Sequence, residues 1–297
     1  MRGKLKKLFA AVLAVLLALS FSGCSELTGL DAQALMSPPK TTADREAIYA
    51  LMGGGVGDVT LVYPKYGDYR SAIISRDLDG CGTSEVVSFC ANGDAGGTRL
   101  EFFKKNTDGV WSSMARFTSA ATQVDKVFFG DLTGDGMDEI IVGWGDPLTA
   151  TASVSVYYVD GDTIREFSMT TVSYSEMLLT DFDSDNINEL FVLQAAQTSG
   201  EEIMALGGLY RFDGDQPYVS KTVPLDAAVT RYTSVSFSQV NSWRRAAVLD
   251  GVKADGRMLT QIIGYDEASD RLVSPLSNEE NATDRPTAAA AVSRDVN

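Results

Sequence analysis

The sequence contains no histidine among its 297 residues. Because histidine is the commonest general base near neutral pH and the commonest zinc ligand, its absence excludes Ser-His-Asp and Cys-His catalytic centres. Neither glycine-rich phosphate-binding pattern, G-x-x-x-x-G-K-S/T or G-x-G-x-x-G after a strand, is present. A catalytic pair of carboxylates is possible in principle, but no separate pair stands out. The sequence therefore offers no positive sign of catalysis.

Basic residues are also scarce, at 25 against 40 acidic residues, so the formal net charge is −15. Removal of a leader peptide that carries four basic residues and no acidic ones would bring the charge to −19. A surface of this charge repels the phosphates of DNA and RNA, which argues against a nucleic-acid partner. With 44% hydrophobic residues, the chain has enough apolar side chains to build a folded core.

Cysteine is rare, with only Cys24, Cys81 and Cys90. The segment Glu85–Phe89 between the last two is predicted to be an extended strand. A strand rises roughly 3.3 Å per residue, so it separates the two Cα atoms by far more than the ~7 Å that a disulfide spans. The sequence therefore predicts free thiols at Cys81 and Cys90.

The first 23 residues have the character of an export signal. A basic start is followed by the apolar stretch Leu8–Leu19, which is too short to span a bilayer. The segment Phe21-Ser22-Gly23-Cys24 then resembles a bacterial lipobox, with Phe where Leu is more usual. This resemblance implies cleavage before Cys24, a lipid on its sulfur, and display on the outer face of a bacterial cell membrane. An ordinary secretory signal and a short anchor helix are the alternatives.

One acidic nine-residue pattern recurs along the chain. Oxygen-bearing side chains at its positions one, three, five and nine, with a flexible residue at position six, suit a hard cation such as calcium. The second loop supplies Asp131, Thr133, Asp135 and Glu139, and the third loop supplies Asp181, Asp183, Asp185 and Glu189. The first loop supplies Asp77, Asp79 and Glu85. Because Cys81 stands at position five of the first loop and removes a hard oxygen, weaker binding is predicted there.

The spacing of these loops indicates a repeat architecture. Loop-like segments start at residues 77, 131, 181, 239 and 295, in steps of 54, 50, 58 and 56 residues, although the one at 239 has no usable carboxylates. A hairpin-type turn lies about 30 residues after each of the first four starts, at Asp108-Gly109, Asp160-Gly161, Asp213-Gly214 and Asp266-Glu267. Each unit is thus predicted to hold four antiparallel strands, in the best unit about Lys126–Gly130, Glu139–Trp144, Ala152–Val159 and Thr163–Met169. Four-stranded blades repeated about an axis form a β-propeller, so the predicted fold class is all-β.

The flanks of the second loop carry a family resemblance. Phe129-Gly130 before it and Val142-Gly143-Trp144-Gly145 after it resemble the FG-GAP repeat, also called the VCBS-type repeat, of integrin α-chain propellers and many bacterial surface proteins. The resemblance covers roughly residues 58–297. It implies calcium between the first two strands of a blade, with a backbone carbonyl ligand from position seven. The implied ligands therefore include the carbonyls of Met137 and Ile187, and about two structural calcium ions are expected.

Other acidic motifs explain these loops less well. An EF-hand requires a bidentate glutamate at position twelve and helices on both sides. Position twelve here is Val142 or Val192, within a β-branched run that is typical of a strand. Dockerin-like loops also lead into helices. Acidic turns that bind nothing are the remaining alternative.

The chain is therefore divided into a lipoprotein signal peptide, residues 1–23, a lipid-anchored spacer, residues 24–57, and a propeller, residues 58–297. In the spacer, a short helix from Thr42 to about Met52 is expected to pack on the propeller and to stop at Gly53-Gly54-Gly55. The sequence predicts four complete blades, from about Ser71 to Leu276. Asp58–Pro64 is predicted as a lone strand of a closing blade, and Ala288–Asp295 as the first strand of a further one. The propeller is accordingly expected to be truncated at its C-terminus or completed by association.

These patterns predict a cell-surface, calcium-binding propeller lipoprotein that acts as a binding module for a protein or a glycan, without enzyme activity. The ligand would bind to loops on one face of the propeller. Two alternatives remain open. One is a carbohydrate-active enzyme, a lyase or glycosidase, with a pocket at the propeller axis. The other is a purely structural module of the cell envelope.

Overall fold

The computed structural model describes residues 43–145, 152–167, 172–199, 202–213, 216–241, 244–274 and 284–285. The leader, Cys24 and the predicted strand Ala288–Asp295 lie outside the described residues. The chain divides into two units, residues 1–46 and 47–297, and the described part of the first unit is residues 43–46 alone. Among the described residues, no helix has the length and apolar character needed to cross a membrane.

The described part of the chain is all-β apart from one α-helix and a short 3₁₀ turn at Gly93–Ala95. Its strands form four antiparallel sheets that follow one another in chain order, each built around a path of four strands. The helix is α1 (Ala43–Leu51). The first sheet contains β1 (Ile73–Arg76), β2 (Glu85–Ala91), β3 (Thr98–Lys105) and β4 (Trp111–Ser119).

The second sheet contains β5 (Gln123–Gly130), β6 (Glu139–Gly145), β7 (Ala152–Asp160) and β8 (Thr163–Glu166), and β9 (Val172–Tyr174) also pairs with β7. The third contains β10 (Glu176–Thr180), β11 (Glu189–Ser199), β12 (Glu202–Asp213) and β13 (Gln216–Pro224). The fourth contains β14 (Val229–Asn241), β15 (Arg244–Lys253), β16 (Met258–Asp266) and β17 (Arg271–Val273), and β18 (Asp284–Arg285) pairs with β16. The predicted pattern of four antiparallel strands per unit is thus confirmed. In the best unit the first three strands are slightly longer than predicted; the fourth ends at Glu166, and Met169 lies outside the described residues.

The middle sheets are packed on both faces, which explains their uninterrupted apolar runs. In β6, Ile140 and Val142 belong to the core shared with the first sheet, whereas Ile141 belongs to the core shared with the third. In β11, Leu190 faces the second sheet and Phe191 the fourth. Successive side chains of a strand point to opposite faces, so a strand between two cores must be apolar at every position. Three cores therefore join consecutive sheets.

The helix packs on the first sheet, as predicted. Ile48 and Met52 are buried against Val86 and Phe103. The helix ends where Gly53 adopts a φ of +96° and donates its N–H to the Ala50 carbonyl. Thr42, its predicted N-cap, lies outside the described residues.

One strand prediction and one loop prediction are wrong. Asp58–Pro64 forms no strand; it makes one isolated bridge, Leu61 with Cys90, at the end of β2 rather than in a separate closing blade. Pro64 has no N–H to donate, and the glycine-rich turn before Asp58 leaves only a few residues to pair. In the fourth sheet, β14 runs on to Asn241 and pairs there with Arg244, so residues 239–241 belong to a strand rather than to the loop predicted to start at residue 239. No carboxylates are present there to organise a longer loop.

The thiol prediction is confirmed. Both Cys81 and Cys90 are free cysteines, the first exposed and the second buried.

Gly143→Ala tests the packing between the second and third sheets. A Cβ at Gly143 would lie 2.2 Å from the Tyr174 hydroxyl and 2.6 Å from Met177 Cε, so we expect about 1–3 kcal/mol of destabilisation from overpacking. Gly264→Ala, in β16, is the matched control, because a Cβ there meets nothing within 4 Å. Thermal unfolding followed by circular dichroism compares the two. Equal melting temperatures for both variants would contradict the described interface.

Candidate functional site

The three acidic loops share one backbone arrangement. In each, the buried second residue donates its N–H to the carboxylate of the ninth. The three N–H to Oε2 distances are 2.9 Å from Leu78 to Glu85, 2.7 Å from Leu132 to Glu139 and 2.8 Å from Phe182 to Glu189. The ninth residue begins the second strand of its sheet, and the loop therefore closes between the first two strands.

The first aspartate of each loop organises its turn. In the second loop, Asp131 accepts the N–H groups of Gly134 and Gly136 at 2.6 and 2.9 Å. In the third loop, Asp181 accepts those of residues 184, 185 and 186. Positions four and six have positive φ in all three loops, at Gly80 and Gly82, Gly134 and Gly136, and Ser184 and Asn186. The three loops therefore share one backbone conformation, although the third has no glycine at these positions.

The fifth and seventh positions complete the turn. Met137 donates its N–H to Asp135 at 2.8 Å, and Ile187 donates to Asp185 at 2.9 Å. The two residues predicted to offer backbone carbonyls thus lie in equivalent places. The second and third loops have the same sequence of buried, partly buried and exposed residues from end to end.

The ninth residue places a buried carboxylate beneath each loop. Glu139 is only 2% exposed and Glu189 is fully buried. Burial, with the charges of Asp135 and Asp131, raises the pKa of Glu139 to about 7. Burial likewise raises the pKa of Glu189 to about 7, although its hydrogen bond with Arg211 acts in the opposite direction. An ionised carboxylate in such a place requires a cation or strong donors nearby.

The third loop contains a protein cation that the sequence reasoning missed. One guanidinium nitrogen of Arg211, in β12, contacts Asp183, lies 2.9 Å from Asp185 and lies 2.5 Å from Glu189. Carboxylate oxygens of Asp181, Asp183 and Glu189 lie within 4.8 Å of one another. Three of the predicted calcium ligands are therefore gathered around an arginine.

The second loop has no such contact. Within the described part of the chain, no cationic side chain forms an ion pair with Asp131, Asp135 or Glu139, and the three carboxylates do not converge within 4.8 Å. The Thr133 hydroxyl is buried there without a hydrogen-bond partner. Three carboxylates and an unsatisfied hydroxyl oxygen are hard donors of the kind calcium takes, so these residues fit the ion.

The first loop shares one feature with each of the other two: its side chains converge as in the third loop, and it has an unpartnered buried oxygen as in the second. The carboxylates of Asp77 and Asp79 and the sulfur of Cys81 lie within 4.8 Å of one another. One oxygen of Asp77 is buried without a hydrogen-bond partner. Lys104 approaches from β3, but its ammonium group pairs with Asp162 of the neighbouring sheet. A thiol in place of the fifth carboxylate suits a hard cation poorly.

Strand register explains why Arg211 meets the third loop. The residue after each ninth position pairs with a residue of the third strand: Val86 with Phe103, Ile140 with Tyr157, and Leu190 with Tyr210. The next residue of that third strand lies beside the loop, and these equivalent residues are Lys104, Tyr158 and Arg211. A sequence signal existed, because Tyr158 and Arg211 both stand two residues before the aspartate of a hairpin turn.

The loops are linked to one another at one end of the sheets. Arg76, at the end of β1, pairs with Asp138 of the second loop at 2.5 Å. Asn188 of the third loop donates its N–H to the Asp131 carbonyl at 2.8 Å. A Cβ on Gly134 would lie 2.7 Å from Ile187, which shows how closely the second and third loops approach.

A cleft of about 940 Å³ lies between the first strands of the second, third and fourth sheets. Hydroxyl, amide and aromatic side chains dominate its polar lining: Tyr66, Ser173, Tyr174, Ser175, Gln194, Thr230, Tyr232, Thr233 and Ser234. Three of its four charged side chains, Asp125, Lys126 and Glu176, have partners within the cleft. Lys126 pairs with Glu176, and the Tyr174 hydroxyl donates to Asp125 at 2.7 Å.

Of the comparisons with known proteins, only the one with solved structures gives matches. No protein-family model and no curated protein match the chain. Among solved structures, 21 chains match, and one is the rhamnogalacturonan lyase PL11 of Bacillus licheniformis. It is 14% identical, with a TM-score of 0.40, over 70% of this chain and 50% of that one. The chain thus spans half the length of that lyase, and a likeness of this degree says nothing about activity.

Proposed function

We propose that this protein is a calcium-stabilised β-propeller of the FG-GAP or VCBS type. In this proposal it is carried as a lipoprotein on the outer face of a bacterial membrane and binds a glycan or protein ligand. The domain division is that of the sequence: a signal peptide in residues 1–23, a spacer in 24–57 and the propeller in 58–297. Nucleic acid is not a partner in this proposal, because the chain is strongly acidic.

The position of the cleft supports a propeller. In a propeller, the strands nearest the axis enclose a central channel. The first strands β5, β10 and β14 line one cleft together, although each belongs to a different sheet. Consecutive sheets that turn the same strand toward a shared space have the relationship of neighbouring blades.

The second loop supports calcium binding. Asp131, Asp135 and Glu139 would supply carboxylate oxygens, Thr133 its hydroxyl, and Met137 its carbonyl. The ion would supply the positive charge that keeps the buried Glu139 ionised. Backbone N–H groups hold Asp131 and Asp135 in the turn, and the three carboxylates, which do not converge within 4.8 Å, would draw together around the ion.

The cleft lining is the observation that carries the binding function. Tyrosine rings and hydroxyl and amide groups recognise sugars by stacking and hydrogen bonding, and they also suit polar peptide segments. Its two carboxylates, Asp125 and Glu176, are each held by a neighbouring side chain. That pairing favours binding over a glycosidase mechanism, which needs one carboxyl as a proton donor and the other as a base or nucleophile.

Calcium is expected to stabilise the protein. Extracellular modules bind calcium with Kd values of roughly 10⁻⁴–10⁻³ M, and ligand at about 100 times Kd adds roughly 2.7 kcal/mol per site. Melting of the full-length chain in detergent should therefore rise between chelator and ~10 mM calcium. Asp135→Asn with Asp185→Asn should remove most of the rise, whereas Asp108→Asn, which removes an acidic charge in the β3–β4 turn, should not. An identical melting temperature in chelator and in calcium would disprove the proposal.

Ligand binding is expected to depend on the cleft. We expect the protein in calcium to bind one class of polymer on an array of glycans and cell-wall fragments. Tyr66→Ala should weaken that binding at least tenfold, because the ring is 56% exposed at the cleft. Tyr63→Ala is the matched control, since Tyr63 is 59% exposed but is not among the residues that line the cleft. Equal binding by both variants would place the ligand elsewhere.

Lipidation is expected at Cys24. The wild-type protein should partition into the detergent phase after expression in bacteria, and Cys24→Ser should keep its leader. Mass spectrometry of the mature N-terminus identifies the modification. Aqueous wild-type protein that is cleaved at another position would rule out the lipobox.

A further inference from the structure

Arg211 occupies the place in the third loop where the carboxylates would coordinate a metal ion. Its contacts are to positions three, five and nine, all made by the same nitrogen. The distance of 2.5 Å to Glu189 falls within the calcium–oxygen range of about 2.3–2.6 Å, and the distance of 2.9 Å to Asp185 is somewhat longer. A nitrogen at that point and a calcium ion at that point exclude each other.

The arginine is held firmly in this position. Glu189 is fully buried, Asp183 is 11% exposed and the arginine side chain 28% exposed, so these two contacts are largely removed from water, whereas Asp185 is 39% exposed. Hydrogen bonds between ionised partners are the strong ones, and they strengthen further where the dielectric constant is low. Release of the guanidinium would leave Asp183 and Glu189 without the cation that compensates them.

The second loop differs in the residue that lies beside it, and it has Thr133 where the third loop has Asp183. Tyr158 takes the equivalent place in β7, and its ring packs on Phe167 with centroids 4.4 Å apart. A phenol ring supplies no positive charge to Asp131, Asp135 or Glu139. Two loops with the same backbone therefore differ in whether the protein provides its own cation.

We propose that Arg211 is a built-in cation that excludes calcium from the third loop, so that calcium binds the second loop alone. This inference rests on the proposed calcium function and changes its expected stoichiometry from two ions to one. The residue beside the loop, rather than the loop itself, then decides whether a blade depends on metal. The rule distinguishes the second loop, beside Tyr158, from the third, beside Arg211; Lys104, beside the first loop, pairs with Asp162 instead.

Calcium stoichiometry tests the inference. The full-length chain in detergent is titrated with calcium by isothermal calorimetry, together with Asp135→Asn and Asp185→Asn as a matched pair. Each substitution removes one charge at position five and keeps a hydrogen-bond acceptor for the N–H of residue 137 or 187. We expect one ion for the wild type, none for Asp135→Asn and one for Asp185→Asn.

Arg211→Gln provides a second test that does not depend on the second loop. It should bind one more ion than the wild type, and its melting temperature should be lower in chelator and recover in calcium. Two ions in the wild type, with one lost in each aspartate variant, would overturn the inference and leave the calcium proposal intact. No ion in the wild type but one in Arg211→Gln would support the exclusion of calcium by Arg211 and refute calcium binding at the second loop. No gain of an ion in Arg211→Gln, with Arg211→Tyr in agreement, would refute the inference whatever the wild type binds.

Discussion

The buried glutamate at the ninth position of each acidic loop is the constraint on which much of this structure depends. Glu85, Glu139 and Glu189 each accept a backbone N–H from the second residue of their own loop, which holds the connection between the first two strands closed. The same burial makes ionisation costly, because a carboxylate away from water needs a compensating charge. Without the glutamate, the loop would lose the hydrogen bond that closes it. With the glutamate present and ionised, a cation is needed nearby to compensate its charge. In the third sheet that cation is Arg211, which β12 places beside the loop.

The loops also connect neighbouring sheets, so their charge affects more than one sheet. Arg76 reaches from the first sheet to Asp138, and Asn188 donates from the third loop to the backbone of the second. The apolar cores join the same pairs of sheets through Trp144, Met177 and their neighbours. Apolar cores resist separation but tolerate small shifts, whereas directional hydrogen bonds between loops define how neighbouring sheets are aligned. A displacement of one loop would therefore disturb its ion pair or hydrogen bond with the next sheet.

The sequence predicted what is local and missed what depends on register. Acidic loops, hairpin turns and period-two strands are patterns of consecutive residues, so they are visible in the sequence. The four-stranded sheets were predicted from these patterns. The contact of Arg211 with Glu189 joins residues 22 apart and requires the exact pairing of β11 with β12, which includes a bulge near Gln194. Asp58–Pro64 failed for a related reason, since an extended segment becomes a strand only if a partner edge is available along its whole length. The cleft has no sequence motif because it is formed by strands from three separate sheets.

The same register connects the loops to the cleft. Lys126 stands five residues before Asp131, and Glu176 stands five residues before Asp181, so their ion pair joins equivalent positions of β5 and β10 inside the cleft. Each of these strands runs directly into its acidic loop. A cation that holds a loop closed therefore also fixes the end of a strand that lines the cleft. If a metal ion closes the second loop and an arginine closes the third, the cleft has one wall whose position depends on calcium and one whose position does not.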